Sequence, residues 1–157
     1  MRRALAVAAF VVLLVAAAAN AGTKAAHACK PGIHRVGKVT YRVFCGPASA
    51  TVNTGGKTYT FRSGTCLRAG ITRVFTMSIG RLVMSKGKPK YSYFGITVPS
   101  ANHDGVYRRA VVTWAIGGKR YSLSNVKLKL TNKQTRGSFS GRAFGTHRTV
   151  TGSFRCK

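Results

Sequence analysis

Residues 106–130 carry the pattern that decides the fold, and they read VYRRAVVTWAIGGKRYSLSNVKLKL. Alternate residues are apolar over 110–116, which is typical of a strand with one buried face. Gly117-Gly118 then supplies the positive φ angles that a tight hairpin turn requires. The returning segment, 121–130, changes the parity of its apolar positions midway. One residue must be absorbed there, so we predict a β-bulge near Ser124-Asn125.

The same alternation recurs on both sides of this hairpin, and no segment shows helical periodicity. Gly-Gly-Lys-x-Tyr occurs at 55–59 and 117–121, and Gly-Ser-Phe occurs at 137–139 and 152–154, which we interpret as repeated hairpin chemistry. Eight or nine short strands with Gly-rich turns predict an all-β, disulfide-bonded domain, an antiparallel β-sandwich or a flattened barrel. We expect this domain to occupy residues 38–157, after a loose N-terminal arm at 22–37.

The N-terminus has the features of an export signal. Arg2-Arg3 precedes an uncharged run at 4–19, and Ala19-Asn20-Ala21 is an A-x-A cleavage site. A membrane anchor is the alternative, but a span needs about 20 apolar residues and this run is shorter. Lipidation of Cys29 is a second alternative, although the residues before it form a poor lipobox. We therefore expect residues 1–21 to be a signal peptide and the mature protein to be secreted or envelope-associated.

Four cysteines remain after such a cleavage, at positions 29, 45, 66 and 156. An even number in an exported chain predicts two disulfides, and three connectivities are possible. Zinc binding is the competing interpretation. It lacks a C-x-x-C pair or a His-x-x-x-His spacing, so we expect no metal.

The charge is extreme, with 27 Lys and Arg against one acidic residue, Asp104. Removal of Arg2 and Arg3 with the signal peptide leaves 25 basic residues and a net charge of +24. Such a surface attracts polyanions. The candidate polyanion-binding residues are Arg108, Arg109, Lys119, Arg120, Lys127 and Lys129. We expect Lys127 and Lys129 to face solvent.

Aromatic and basic residues are adjacent at Tyr41-Arg42, Phe61-Arg62 and Lys119-Arg120-Tyr121. Aromatic platforms flanked by cations bind single-stranded nucleic acid. The alternative is simple strand alternation, with aromatic side chains inward and cations outward.

The composition argues against most enzyme classes. Glycosidases need two carboxylates, and this chain has no Glu and one Asp. Asp104 is also the only possible carboxylate of a Ser-His-Asp site, and it lies in a turn sequence. His103 and His147 could serve as the acid and base of a ribonuclease-like cleavage, but both fall in predicted turns. We expect a non-enzymatic protein without cofactors.

Five motifs in residues 45–156 suggest a family: Ala50-Thr51-Val52, Gly55-Gly56-Lys57, Gly64-Thr65-Cys66, Phe75–Gly80 and Val150–Cys156. Their order resembles small exported actinobacterial proteins, of which the mycobacterial lipoprotein-antigen family is the best known relative. The resemblance implies a cell-surface β-domain without assigned chemistry. It also implies a Cys66–Cys156 disulfide, which leaves Cys29 to pair with Cys45. This chain departs from that family in its poor lipobox and its higher positive charge.

The leading hypothesis is a secreted basic protein that associates electrostatically with anionic polymers. Wall glycopolymer, anionic lipid headgroups and extracellular nucleic acid are the candidate partners, and the sequence indicates no small-molecule substrate. One alternative is a secreted, histidine-dependent, ribonuclease-like enzyme. The other is a structural or antigenic surface module with no specific ligand.

Overall fold

The computed structural model describes residues 29–68, 70, 73–84 and 91–157. The predicted signal peptide and residues 22–28 of the arm lie outside this part of the chain. The described residues form strands and no helix, which confirms the all-β prediction. The eleven strands are β1 (Gly32–Val36), β2 (Val39–Phe44), β3 (Ala48–Thr54), β4 (Lys57–Leu67), β5 (Phe75–Val83), β6 (Tyr93–Val98), β7 (Gly105–Tyr107), β8 (Val111–Ile116), β9 (Lys119–Thr131), β10 (Arg136–Ala143) and β11 (Thr149–Arg155).

Eight of the strands close into an antiparallel barrel in the order β3-β4-β5-β6-β8-β9-β10-β11, and β11 returns to β3. Apart from that last pairing, each barrel strand pairs with its neighbour along the chain, so this is an up-and-down barrel. Of the two forms that the sequence allows, a sandwich or a barrel, the structure has the barrel. The described part of the chain has eleven strands, where eight or nine are expected for the domain.

The additional strands lie beside the barrel. The β1–β2 hairpin extends the sheet along the end of β5, where Tyr41 lies opposite Val83. Strand β1 begins at Gly32, within the segment expected to be a loose arm. Pairing with β2 and the Cys29–Cys45 disulfide fix this part of the chain. Residues 106–116 do not form one continuous strand, because the chain is interrupted between β7 and β8, and Val106 of β7 is exposed.

The barrel interior is filled by apolar side chains, and aromatic rings of Phe75, Phe94, Phe139 and Phe154 form much of it. The repeated Gly-Ser-Phe motif has a packing explanation. Gly137 lies directly opposite Phe154 and Phe139 lies opposite Gly152, so each glycine makes room for the ring of the other motif. A Cβ atom at Gly152 would collide with the Phe139 ring.

The predicted bulge in β9 is confirmed. Ser140 of β10 lies opposite Lys127 and Arg142 lies opposite Ser124, so β9 carries one additional residue between these pairs. Asn125 in this interval has a φ of 52°. After the bulge, Val126, Leu128 and Leu130 are buried and Lys127 and Lys129 are exposed, as expected, whereas Leu123 before it is half-buried.

The two ends of the barrel differ. The hairpin end carries the β3–β4, β8–β9 and β10–β11 turns. At the opposite, closed end the Gln134 side chain is buried and donates to the Ala101 carbonyl at 3.3 Å. The Cys66–Cys156 disulfide joins β4 to the C-terminus at the closed end. Both disulfides have the pairing that the family resemblance implies, and their presence indicates folding in an oxidising environment.

Candidate anion-binding surfaces

Asp104, the only acidic residue, has a structural role. Its carboxylate accepts hydrogen bonds from the backbone N–H groups of Lys133 and Gln134 at 2.8 and 2.7 Å. These groups belong to the β9–β10 turn, in which Asn132, Lys133 and Gln134 have φ angles of 55°, 54° and 59°. The carboxylate therefore holds together a turn with three consecutive left-handed residues.

The basic side chains lie on the outside of the molecule. Every Lys and Arg within the described residues is exposed. A protein with one carboxylate side chain cannot pair these cations internally, so their charge is presented to solvent and to any anion that approaches.

The six residues that the sequence singles out for polyanion binding do not form one site. Lys119 and Arg120 lie at the hairpin end, where Arg120 donates to the Val83 carbonyl at 3.3 Å. Lys127 and Lys129 face outward from the wall at β9, and Arg108-Arg109 lies in the link between β7 and β8. They are separate contributions to a charged surface.

Three other arginines, which no pattern in the sequence singles out, do lie close together. Arg62 of β4, Arg136 of β10 and Arg155 of β11 line an open groove of about 610 Å³ on the barrel wall. Arg136 and Arg155 lie directly opposite each other on neighbouring strands. Like charges in this arrangement destabilise a sheet. We call this feature the arginine groove.

Hydroxyl groups continue the arginine groove along the wall. The Arg155 guanidinium donates to the Ser49 hydroxyl at 3.2 Å, and the Thr51 and Ser153 hydroxyls are 3.0 Å apart. The outward positions of four adjacent strands form what we call the hydroxyl face: Thr58, Thr60, Ser49, Thr51, Asn53, Thr149, Thr151, Ser153, Ser138 and Ser140. Arg142 lies at its far end, opposite Thr149. Six residues of β11 separate the two ends, or about 20 Å.

The histidines are not brought together. His103 lies between β6 and β7 at the closed end, where its Nδ1 is 2.6 Å from the Asn102 side-chain oxygen. His147 lies in the β10–β11 turn at the hairpin end. An acid and a base that act on one phosphodiester must both reach it, so these two residues do not form one catalytic site.

The aromatic residues that have basic neighbours are of two kinds: some are buried, as simple strand alternation predicts, and others are accessible, as a stacking platform requires. Phe61 is buried in the core, as strand alternation predicts. Tyr121 lies at the hairpin end and is 36% exposed. Tyr41 packs against Tyr91 on the β1–β2 extension, and the Arg81 guanidinium lies over both rings.

No protein-family model, curated protein or solved structure matches this chain. The resemblance to the lipoprotein-antigen family therefore stays a prediction. The described residues contain no helix long and apolar enough to cross a membrane. Across these same residues, no three His, Cys, Asp or Glu side chains are grouped so that they could hold a metal ion.

Proposed function

We propose that this protein is secreted and binds extended polyanions through the arginine groove and the adjoining hydroxyl face. One observation carries the proposal. Three arginines lie at one end of this surface and Arg142 at the other, with hydroxyl groups between them and no carboxylate side chain. A strand-parallel polymer would meet cations at both ends of a path about 20 Å long.

The chemistry of the surface favours polymers with phosphate or sulfate groups. Arginine donates two parallel hydrogen bonds to such oxyanions, and Ser and Thr hydroxyls add neutral donors. An anionic polymer also relieves the repulsion between Arg136 and Arg155, because it places negative charge between two like charges. Among the candidate partners at the cell envelope, we therefore favour an anionic wall glycopolymer.

Salt dependence tests the proposal. Binding that depends on counterion release weakens linearly on a plot of log affinity against log salt, with a slope of about −0.9 per phosphate contact for duplex DNA. We therefore use a DNA duplex as the calibrated probe and heparin as a sulfated polysaccharide. Absence of binding to both at about 50 mM salt, or binding that salt does not weaken, would contradict the proposal.

A matched pair of triple variants tests the location. Arg62→Gln, Arg136→Gln and Arg155→Gln together should reduce the slope for duplex DNA by about 2 to 3. The control replaces Arg109, Lys127 and Lys129 by Gln, which removes the same net charge from the β7–β8 link and from the wall at β9. An equal loss in both triples would show a uniform charged surface and refute the arginine groove as the site.

A further inference from the structure

The hairpin end of the barrel contains a second concave surface, which has a different chemistry from the arginine groove. The residues that line it include Tyr59, Trp114 and Tyr121, and its volume is about 530 Å³. We call it the mouth cleft. Small-molecule sites are typically 300–1,000 Å³ and occur in the mouths of β-barrels.

Strand alternation explains why the cleft exists at this end. Trp114 of β8 and Tyr121 of β9 are directly opposite each other, and their rings are stacked with centroids 5.2 Å apart. Beyond this pair the chain continues into the Gly117-Gly118 turn, and Ile116 is the last residue of β8 that packs against the core. The closed end, in contrast, is filled by Ala101 and Gln134.

Three cations from three different hairpins surround the cleft. Lys57 follows the β3–β4 turn, Arg120 follows the β8–β9 turn, and Arg148 precedes β11. The Arg148 guanidinium lies against the Gly55 turn, since a Cβ atom built on Gly55 would be 3.5 Å from its Nη1. The residues that line the cleft include no carboxylate.

The β10–β11 turn that carries Arg148 is held in place by its own hydrogen bonds. The Arg148 carbonyl accepts from the Ala143 N–H at 3.0 Å, and the Thr146 hydroxyl donates to the Ala143 carbonyl at 3.1 Å. The Phe144 N–H donates to the Ser122 carbonyl at 2.9 Å, which fixes Phe144 at the rim of the cleft. Phe144 is 76% exposed, so its ring is accessible to a ligand in the cleft.

Trp114 provides a separate indication of a ligand. Its side chain is 2% exposed, and among the described residues its indole Nε1–H is a buried donor without a hydrogen-bond partner. Buried polar groups in native structures nearly always have a partner, so an orphaned donor in the wall of a cleft needs an explanation. Because this nitrogen is itself buried, a ligand in the cleft would supply the acceptor only after the side chains around the indole shift.

We propose that the mouth cleft binds a small planar aromatic anion, a ring that carries a phosphate or carboxylate group. The ring packs against the aromatic side chains Tyr121 and Phe144, and the anionic group pairs with Lys57, Arg120 and Arg148. This site is separate from the polyanion surface, which has hydroxyl groups where the cleft has aromatic rings.

The single tryptophan makes the test direct, because the whole chain has one indole N–H and hence one indole cross-peak in a ¹H–¹⁵N spectrum. Phenyl phosphate is the probe, titrated into the labelled protein at about 150 mM salt so that exposed charges are screened over a Debye length of about 8 Å. We expect a saturable shift of the Trp114 peak. Inorganic phosphate, which lacks the ring, and benzyl alcohol, which lacks the charge, should each bind at least about tenfold more weakly.

Two single variants locate the anion. Arg148→Gln should weaken phenyl phosphate binding by about tenfold, as expected for loss of one charged hydrogen bond. Arg142→Gln is the matched control, because it removes the same charge from the outer wall near the same hairpin and should leave the affinity unchanged. The triple variant of the arginine groove should also leave it unchanged, which separates this site from the polyanion surface.

Three results would overturn the proposal. One is equal binding of phenyl phosphate and inorganic phosphate, since the ring would then contribute nothing. The second is saturation without movement of the Trp114 peak. The third is an equal loss of affinity in Arg148→Gln and Arg142→Gln, which would mean that net charge alone attracts the probe.

Discussion

Replacement of the only acidic residue by its neutral isostere, Asp104→Asn, tests how this basic chain forms its closed end. Asn keeps the shape of the side chain and one acceptor oxygen. Its amide nitrogen is a donor and cannot accept the second backbone N–H. The variant therefore leaves either Lys133 N or Gln134 N, now 2.8 and 2.7 Å from the carboxylate, without an acceptor.

The magnitude follows from these two bonds. A hydrogen bond to a charged group contributes about 1.5–3 kcal/mol, and a neutral one about 1 kcal/mol. The variant loses one charged bond and weakens the other. Because Asp104 is exposed, water partly compensates, and we expect a loss of about 2 kcal/mol in the free energy of unfolding. The turn has three consecutive residues with positive φ, a conformation that non-glycine residues adopt only at a cost, so it needs the bonds from Asp104 to hold it.

Urea unfolding of the oxidised protein is the assay. With an m-value of about 2 kcal/mol per molar urea, the midpoint should fall by about 1 M. Lys133→Gln is the control, because it changes the side chain but keeps the backbone N–H that Asp104 binds, and its effect should stay within about 0.5 kcal/mol. An Asp104→Asn midpoint equal to that of the unaltered protein would refute the assigned role.

Two further predictions concern the barrel itself. Cys66→Ala with Cys156→Ala opens a loop of 90 residues and should cost about 4–5 kcal/mol. Removal of Cys29–Cys45, which closes 16 residues beside the barrel, should cost about 3 kcal/mol and so shift the urea midpoint less, and the reverse order would contradict this assignment. Gly152→Ala should lower the free energy of unfolding by about 1–3 kcal/mol, because the added methyl group meets the Phe139 ring. Ser153→Ala, on the outer face, is the control and should lower it by less than about 1 kcal/mol. Both effects are measured as shifts of the urea midpoint.

Local features of the fold could be predicted from the sequence because they depend on a few neighbouring residues. The parity change after Leu123 leaves one position for a bulge, and the structure has it beside Asn125. The two Gly-Gly turns could likewise be predicted, because each lies between two alternating segments that form paired strands. Barrel closure is different, because it depends on the pairing of β3 with β11, about a hundred residues apart. The alternation of apolar and polar residues in β3 and β11 does not indicate which strand each of them pairs with.

The same limit applies to the arginine groove. Alternation alone indicates that Arg62 and Arg155 face outward, but it does not show that they share a surface. Their proximity requires the β3–β11 pairing, since β3 lies between β4 and β11. The residues chosen from sequence, such as Arg108-Arg109 and Lys127, are close in the chain or within one strand and belong to no common groove. Tyr121 and Phe61 each have an arginine neighbour in the sequence. Phe61 is buried inside the barrel and Tyr121 is partly exposed because it lies at the hairpin end.

A closed barrel gives one strand two independent surfaces, and β4 shows the consequence. Tyr59 points toward the mouth cleft, whereas Arg62 lines the arginine groove on the outer wall. Substitution at the outward position leaves the interior packing intact because successive side chains face opposite sides of the sheet. The positive charge can therefore accumulate on the wall without disturbing a core built from apolar residues. The cost is repulsion between neighbours such as Arg136 and Arg155, which an anionic polymer would reduce by binding across them.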